Sequence, residues 1–312
     1  MTASSTRPGP APRAPRTAPA PAVSRRPNDH PPVPCTASYR RLGRLVPALR
    51  VHSAPPRTGD GWICGADLLA DPDALRELIA HDERQGLARY GRPLRPDVAA
   101  GFGLHRFTWP VALLFTLPWF LERRVPLLTP ADVSIRRASG ELTARPGAFV
   151  CLPGDPAAGL PGARTVADEA ALATELRTAL AGLLAPVLTA FRPAVRRSPR
   201  MLWAMATDAV VEGLWYVGGL LGEEERARAE LSDLLAAQPS AAHRPAGPRA
   251  SEAPALPAPT ACTPGAPASF TLGAGFAADS ASGTDRARAS CCLAYTVQPE
   301  EMCGGCPRVT RG

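Results

Sequence analysis

The chain has 312 residues, a formal net charge of +7, 45% hydrophobic residues and only 20% charged residues. This length allows one large domain or two ordinary ones, with a sizeable core. Ten arginines and a single acid, Asp29, fall in residues 1–57, so the positive charge belongs to one end of the chain and not to a folded face. Nucleic-acid binding is therefore not predicted.

Residues 1–57 are predicted to be a disordered, Pro/Arg-rich tail. The first 34 residues hold ten prolines and few large apolar groups, so they bury too little surface to offset the entropy of ordering. The tail lacks the apolar region of a secretory signal. The most apolar later stretch, Trp109–Leu121, has 13 residues, whereas roughly 20 are needed to span a bilayer. We expect a cytoplasmic protein with no transmembrane segment, either free or peripheral to the inner face of the membrane.

Residues 58–237 are predicted to form a mainly helical domain. Asp71-Pro72 combines a capping side chain with a proline at the first helical position, which is typical of a helix start. The apolar stretch Asp97–Leu121 is predicted to be helical but broken near Pro110 and Pro118.

Short strands are predicted at Val133–Arg137 and Phe149–Leu152, with Ser139-Gly140 as a turn between them. Cys151, in the second strand, is interpreted as a small buried hydrophobe. The combination predicts an α+β class, predominantly helical, with a small β-hairpin element.

Three further helices follow in the sequence. Thr165 and Asp168 make a capping-box pattern ahead of apolar residues that recur at helical spacing from Leu172 to Phe191. Ser198-Pro199 is predicted to open the next helix, and the acids Glu223–Glu225 suit the first turn of the third.

The end of the chain carries the strongest chemical signal. Residues 238–268, rich in Ala, Pro and Ser, are predicted to be a flexible linker or insertion. Residues 269–312 then hold four of the eight cysteines within 16 residues, in the pattern C-C-x10-C-x2-C. This C-terminal cysteine quartet, predicted to bind one metal centre, consists of Cys291, Cys292, Cys303 and Cys306.

The spacing of the quartet favours a binuclear centre. The C-x2-C half is a chelating turn, which Gly304 and Gly305 permit. The apolar, β-prone run Leu293–Val297 would lead the chain away from the vicinal pair before it turns back. Neighbouring side chains point apart in an extended strand, so Cys291 and Cys292 reach two irons more easily than one tetrahedral zinc. A structural zinc site and a thiol–disulfide pair remain as alternatives.

The C-C-x10-C-x2-C ending resembles the FhuF family of ferric siderophore reductases, and weaker likenesses lie upstream in Arg197–Val210 and in Gly273–Phe276. The resemblance implies a [2Fe–2S] cluster held by the quartet. It also implies one-electron reduction of siderophore-bound Fe(III), with release of Fe(II). The implied partners are a ferric siderophore, such as a hydroxamate, and an electron donor such as a ferredoxin or a flavin-dependent reductase. The alternative function is a structural zinc-binding helical module without redox activity.

No nucleophile or proton shuttle is needed for outer-sphere electron transfer, so no catalytic residue beyond the cluster is predicted. A pocket is expected beside the C-terminal loop, with Arg197, Trp203, Arg286 and Arg288 as candidate lining groups. The dispersed histidines are each expected to be solvated or packed, not to be ligands: His30, His52, His81, His105 and His243.

Overall fold

The computed structural model describes residues 33–236, 275–276, 286–300 and 306. Within these residues the architecture is predominantly helical α+β, which confirms the predicted fold class. The helices are α1 (Thr36–Leu45), α2 (Asp67–Ala70), α3 (Pro72–Tyr90), α4 (Pro96–Glu122), α5 (Glu169–Val195), α6 (Pro199–Leu221) and α7 (Glu224–Ala236). The strands are β1 (Arg50–His52), β2 (Trp62–Cys64), β3 (Arg124–Leu127), β4 (Val133–Arg136), β5 (Glu141–Ala144), β6 (Ala148–Cys151), β7 (Ala163–Thr165), β8 (Gly275–Phe276) and β9 (Arg286–Ala287).

Helix α4 lies at the centre of the fold and packs against α3, α5 and α6. Most of its side chains from Val98 to Phe120 are buried, as expected for a helix that is apolar all round. By length and composition alone, α4 and α5 are long and apolar enough to cross a membrane, but core helices of soluble proteins pass the same test. In α4, 78% of the most apolar window is buried inside the protein. Packing in the protein core therefore explains why this helix is so apolar.

The predicted break in α4 is wrong, because the helix runs through both Pro110 and Pro118. A proline removes the hydrogen bond to the carbonyl four residues earlier, which for Pro118 is the carbonyl of Leu114. The buried hydroxyl of Tyr39, on α1, donates to that carbonyl at 3.1 Å. Because a side chain from another helix satisfies the carbonyl, the helix continues where the local sequence predicts a break.

The strands form small sheets, and the predicted hairpin has a different partner. Strand β4 turns through Ser139 and Gly140 and pairs with β5, while the hydroxyls of Ser134 and Thr143 lie 2.6 Å apart between them. Strand β6, which holds Cys151, instead pairs with β3 and β7 in a separate sheet. Gly140 has φ 68°, and a Cβ there would lie 2.0 Å from the carbonyl oxygen of Ala48, so the turn requires glycine.

Helix starts are mostly where the sequence predicts them. Asp71 caps α3 by accepting from the backbone N–H of Asp73 at 2.8 Å, and Ser198 caps α6. The capping box predicted from Thr165 is wrong: Asp168 itself is the cap of α5, accepting from the N–H of Ala171 at 2.8 Å. Thr165 lies in β7 instead, because pairing with β6 holds its backbone extended.

The boundary predicted at residue 57 is also wrong. Helix α1 begins at Thr36, with Tyr39 and Leu42 buried against the main core, and β1 pairs in parallel with β5. Ordered structure therefore extends into the predicted tail, because a few apolar side chains find partners far away in sequence. Residues 1–32 and the linker predicted at 238–268 lie outside the described residues, so those two calls stay predictions.

Candidate functional site

The vicinal cysteines lie in an irregular segment, residues 288–298, which we call the cysteine loop. Cys291 and Cys292 are half-buried, and Cys306 is 3% exposed. Cys303 lies outside the described residues. Within the described part of the chain no three His, Cys, Asp or Glu side chains are grouped to hold a metal.

The strand expected after the vicinal pair is not observed. Leu293 has φ 62°, and a 3-10 turn over Ala294–Thr296 follows it, with the N–H of Val297 donating to the carbonyl of Ala294 at 2.9 Å. The chain thus reverses directly behind Cys292. Leu293 and Val297 pack against the main core, which explains why an apolar run serves as an anchored turn and not as a strand.

A buried carboxylate fixes the start of the cysteine loop. Asp208, on α6, is fully buried and accepts from the backbone N–H groups of Ala289 at 3.0 Å and of Ser290 at 2.8 Å. The Ser290 hydroxyl donates to the same carboxylate at 2.5 Å. Hydrogen bonds to an ionised acceptor are roughly twice as strong as neutral ones, so Asp208 holds the backbone immediately ahead of Cys291.

Sequence reasoning missed Asp208, although a signal for it exists. It is an acid in the apolar stretch Ala204–Val211 of α6, and a buried charge requires hydrogen-bonding partners. Those partners come from a segment about 80 residues later, which no local pattern reveals.

A second contact fixes the far end of the loop. The Arg92 guanidinium, between α3 and α4, donates to the carbonyls of Val297 and, at 3.4 Å, Thr296. The cysteine loop is therefore held at both ends by charged side chains from the helical domain, with Cys291 and Cys292 between the two anchors.

A cavity of about 210 Å³ adjoins Cys292. Its walls come from the end of α3, from α4, from α6 and from the cysteine loop, and include Phe102, His105, Arg106, Met205 and Arg288. The expected pocket beside the C-terminal loop is thereby confirmed. A second cavity of about 170 Å³ shares His105 and Arg106 with the first and reaches Arg137 and Gly140 on the other side.

The arginines that line the two cavities are backed by carboxylates. Arg106 and Arg137 both donate to the fully buried Asp82 of α3, the latter at 2.9 Å. Arg288 lies 3.6 Å from Glu212 and 4.0 Å from Asp208. These carboxylates fix the guanidinium groups in place.

His105 lies in the wall of both cavities, a position that sequence reasoning did not assign to it. Burial lowers the pKa of its imidazole, with Glu212 opposing this and Arg288 adding to it. The ring is therefore neutral near pH 7.

Residues 288–308 match the family model of the FhuF 2Fe-2S C-terminal domain. The C-terminal segment is thus similar to a FhuF-type [2Fe–2S] domain. The family resemblance is confirmed on this segment, and the cofactor is a [2Fe–2S] cluster. Comparison with curated proteins and with solved structures gives no match.

The cysteines at this end of the chain are the ligand type that a [2Fe–2S] cluster requires. A [2Fe–2S] cluster takes four thiolates, and the matched segment contains the whole cysteine quartet. By contrast, Cys35 is buried, and burial together with the neighbouring Glu122 raises the pKa of its thiol, so it is protonated at neutral pH. The assignment of all four ligands stays a prediction, since Cys303 is not described.

The candidate lining groups predicted from the sequence do not all lie in the wall of the cavity beside Cys292. Arg288 lines the cavity next to Cys292. Trp203 is wrong as a lining group of this cavity and lines a different one, with Leu188 and Arg192. Arg197 pairs with Asp97 at 3.7 Å and does not line the cavity either. The side chain of Arg286 lies outside the described residues.

Proposed function

We propose that this protein is a ferric siderophore reductase. The observation that carries the proposal is the FhuF-type [2Fe–2S] domain at residues 288–308, with a half-buried Cys292 that opens onto a cavity. When bound, the cluster supplies one electron to siderophore-bound Fe(III). Hard oxygen donors hold Fe(III) far better than Fe(II), so this reduction loosens the iron.

The protein's own residues contribute positioning and shielding. Asp208 and Arg92 hold the two ends of the cysteine loop, so the backbone that carries Cys291 and Cys292 is fixed against the helical domain. Phe102 and Met205 exclude water from part of the cavity wall. The sequence offers no acid–base constellation, and the reaction requires none. The zinc alternative has no support from a domain whose cofactor is [2Fe–2S].

The test is an anaerobic single-turnover experiment. The purified protein is reduced with dithionite, its EPR spectrum is recorded, and excess reductant is removed. It is then mixed with a ferric tris-hydroxamate siderophore and a ferrous chelator. We expect one Fe(II) to be trapped for each cluster that is reoxidised. A reduced cluster that stays reduced in the presence of the ferric siderophore would rule out the proposal.

The electron donor and the cellular location are also part of the proposal. A ferredoxin or a flavin-dependent reductase would return the cluster to its reduced state on the cytoplasmic side of the membrane. Reoxidised protein mixed with each donor in turn, supplied in its reduced form under anaerobic conditions, should recover the EPR signal with one of them.

A further inference from the structure

We propose that the cavity beside Cys292 binds an oxygen-donor ferric chelate through the guanidinium groups of Arg106 and Arg288. The inference rests on the proposed function and deepens it by placing the substrate on named side chains. The cavity is lined in part by a predicted cluster ligand, Cys292, so a chelate seated there would lie next to the electron source.

Arg106 is the better-defined of the two groups. Its side chain is 34% exposed and lines the cavity, while the carboxylate that it contacts, Asp82, is fully buried behind it. A guanidinium has five N–H donors in a fixed fork. Asp82 therefore orients Arg106 from the protein side and leaves the opposite edge facing the cavity.

Arg288 stands on the cysteine loop itself. Its side chain is 11% exposed and lines the cavity, and the carboxylates of Asp208 and Glu212 on α6 lie 4.0 Å and 3.6 Å from its guanidinium. Because the two arginines come from α4 and from the loop, they flank the cavity from different elements. Two fixed guanidinium groups match the charge-bearing oxygens of hydroxamate or carboxylate ligands, which accept charge-assisted hydrogen bonds.

The apolar part of the wall limits what enters. Phe102 and Met205 line the same cavity, and they suit the carbon backbone of a chelator. Ligand pockets commonly combine such apolar walls with a few placed polar groups. A volume of about 210 Å³ lies below the usual range for drug-sized ligands, roughly 300–1,000 Å³. The cavity therefore takes the iron-bearing face of a chelate and not a whole large siderophore.

Because the charges of the side chains around the two cavities balance, we expect the site to recognise the oxygen acceptors of a metal complex and not its net charge. Three arginines around the two cavities, Arg106, Arg137 and Arg288, are matched by three acids, Asp82, Asp208 and Glu212. A neutral tris-hydroxamate complex should therefore bind. A cationic complex without oxygen acceptors should not, because it presents N–H donors to guanidinium N–H groups.

The test separates binding from reduction by the use of gallium(III), which has the charge of Fe(III) and is not reduced by one electron under these conditions. Gallium(III) tris-acetohydroxamate is titrated calorimetrically into the cluster-loaded protein. We expect saturable binding that Arg106→Gln weakens roughly tenfold, the effect of one charge-assisted hydrogen bond. Hexaamminecobalt(III) should not bind.

Arg137→Gln is the matched control. It also removes one of the two guanidinium partners of Asp82, but Arg137 lines the second cavity and not the one beside Cys292. We expect less than a twofold change in gallium-complex affinity, and an unchanged cluster EPR spectrum in both variants. Equal weakening by the two substitutions would assign the effect to Asp82 and overturn the proposal, as would absence of binding to the unmodified protein.

The same variants distinguish this inference from the proposed function. If the gallium complex binds in an Arg106-dependent way but the ferric complex never reoxidises the reduced cluster, the binding site stands and the reductase function fails. If the ferric complex is reduced, yet Arg106→Gln binds and reduces it like the unmodified protein, the reductase function stands and the binding site is wrong.

Discussion

The anchoring of the cysteine loop by Asp208 gives a prediction with a magnitude. Within the described residues, the carboxylate accepts three hydrogen bonds, from the N–H of Ala289 and from the N–H and hydroxyl of Ser290. In Asp208→Asn, the amide oxygen can keep the two bonds to Ser290. The amide NH2 then faces the N–H of Ala289, so one bond is lost and a buried donor is left without an acceptor.

The cost follows from the strength of such bonds. A hydrogen bond to a charged group contributes about 1.5–3 kcal/mol, and an unsatisfied buried group costs about 1–3 kcal/mol more. We therefore expect Asp208→Asn to destabilise the docked cysteine loop by about 3 kcal/mol, which is roughly a 150-fold shift in its opening equilibrium. Ser290→Ala, which removes only the hydroxyl bond to this carboxylate, should cost about 1.5 kcal/mol, at the low end of that range.

The assay is amide hydrogen exchange of residues 289–297 by mass spectrometry, combined with the rate of cluster loss to an iron chelator. Exchange in the loop should accelerate by roughly two orders of magnitude in Asp208→Asn, and cluster loss should accelerate with it. Asp155→Asn is the control, because the Asp155 side chain is only 5% exposed and its carboxylate accepts from Arg124 and from the N–H of Ala157 at 2.7 Å. It should lower global stability without selectively opening the loop. Unchanged loop exchange in Asp208→Asn would refute the anchoring role.

Three further outcomes are expected. Serine at any position of the C-terminal cysteine quartet should bleach the visible absorbance of the cluster, whereas Cys262→Ser should retain it; equal loss in both would mean that the wrong ligands are assigned. Tyr39→Phe should lower the free energy of unfolding, measured by chemical denaturation, by about 1–3 kcal/mol, because it leaves the Leu114 carbonyl unpaired. In a Pro118→Ala background most of this loss should vanish, because the alanine restores a backbone N–H that donates to the same carbonyl. Burial raises the pKa of Glu230, but hydrogen bonds from two arginines outweigh this and hold the pKa below its usual value. The stabilisation that ionised Glu230 provides is therefore present above pH 4.5 and is lost as the pH falls through the lowered folded-state pKa. Glu230→Gln should accordingly flatten the acid limb of the stability curve, and identical limbs in the two proteins would contradict this.

Local signals in the sequence explain which elements were predicted correctly. Asp71-Pro72 and Ser198-Pro199 mark helix starts because the capping side chain and the proline act within one turn. The helical periodicity behind Asp168 likewise needs no distant partner. The break expected at Pro118 failed for the opposite reason, since the acceptor left free by the proline is satisfied by Tyr39 from α1.

The cofactor could be predicted from sequence because cluster chemistry depends on thiol type and spacing, both of which the chain displays directly. The tertiary structure decided the surroundings of those thiols. Asp208 and Arg92 anchor the cysteine loop, and Arg106 reaches the same cavity from α4. Each of these contacts joins residues about 80 or more positions apart in sequence, or depends on which face of a helix turns inward. Folding alone sets such relations, because close packing in three dimensions, and not order along the chain, determines which charged groups meet.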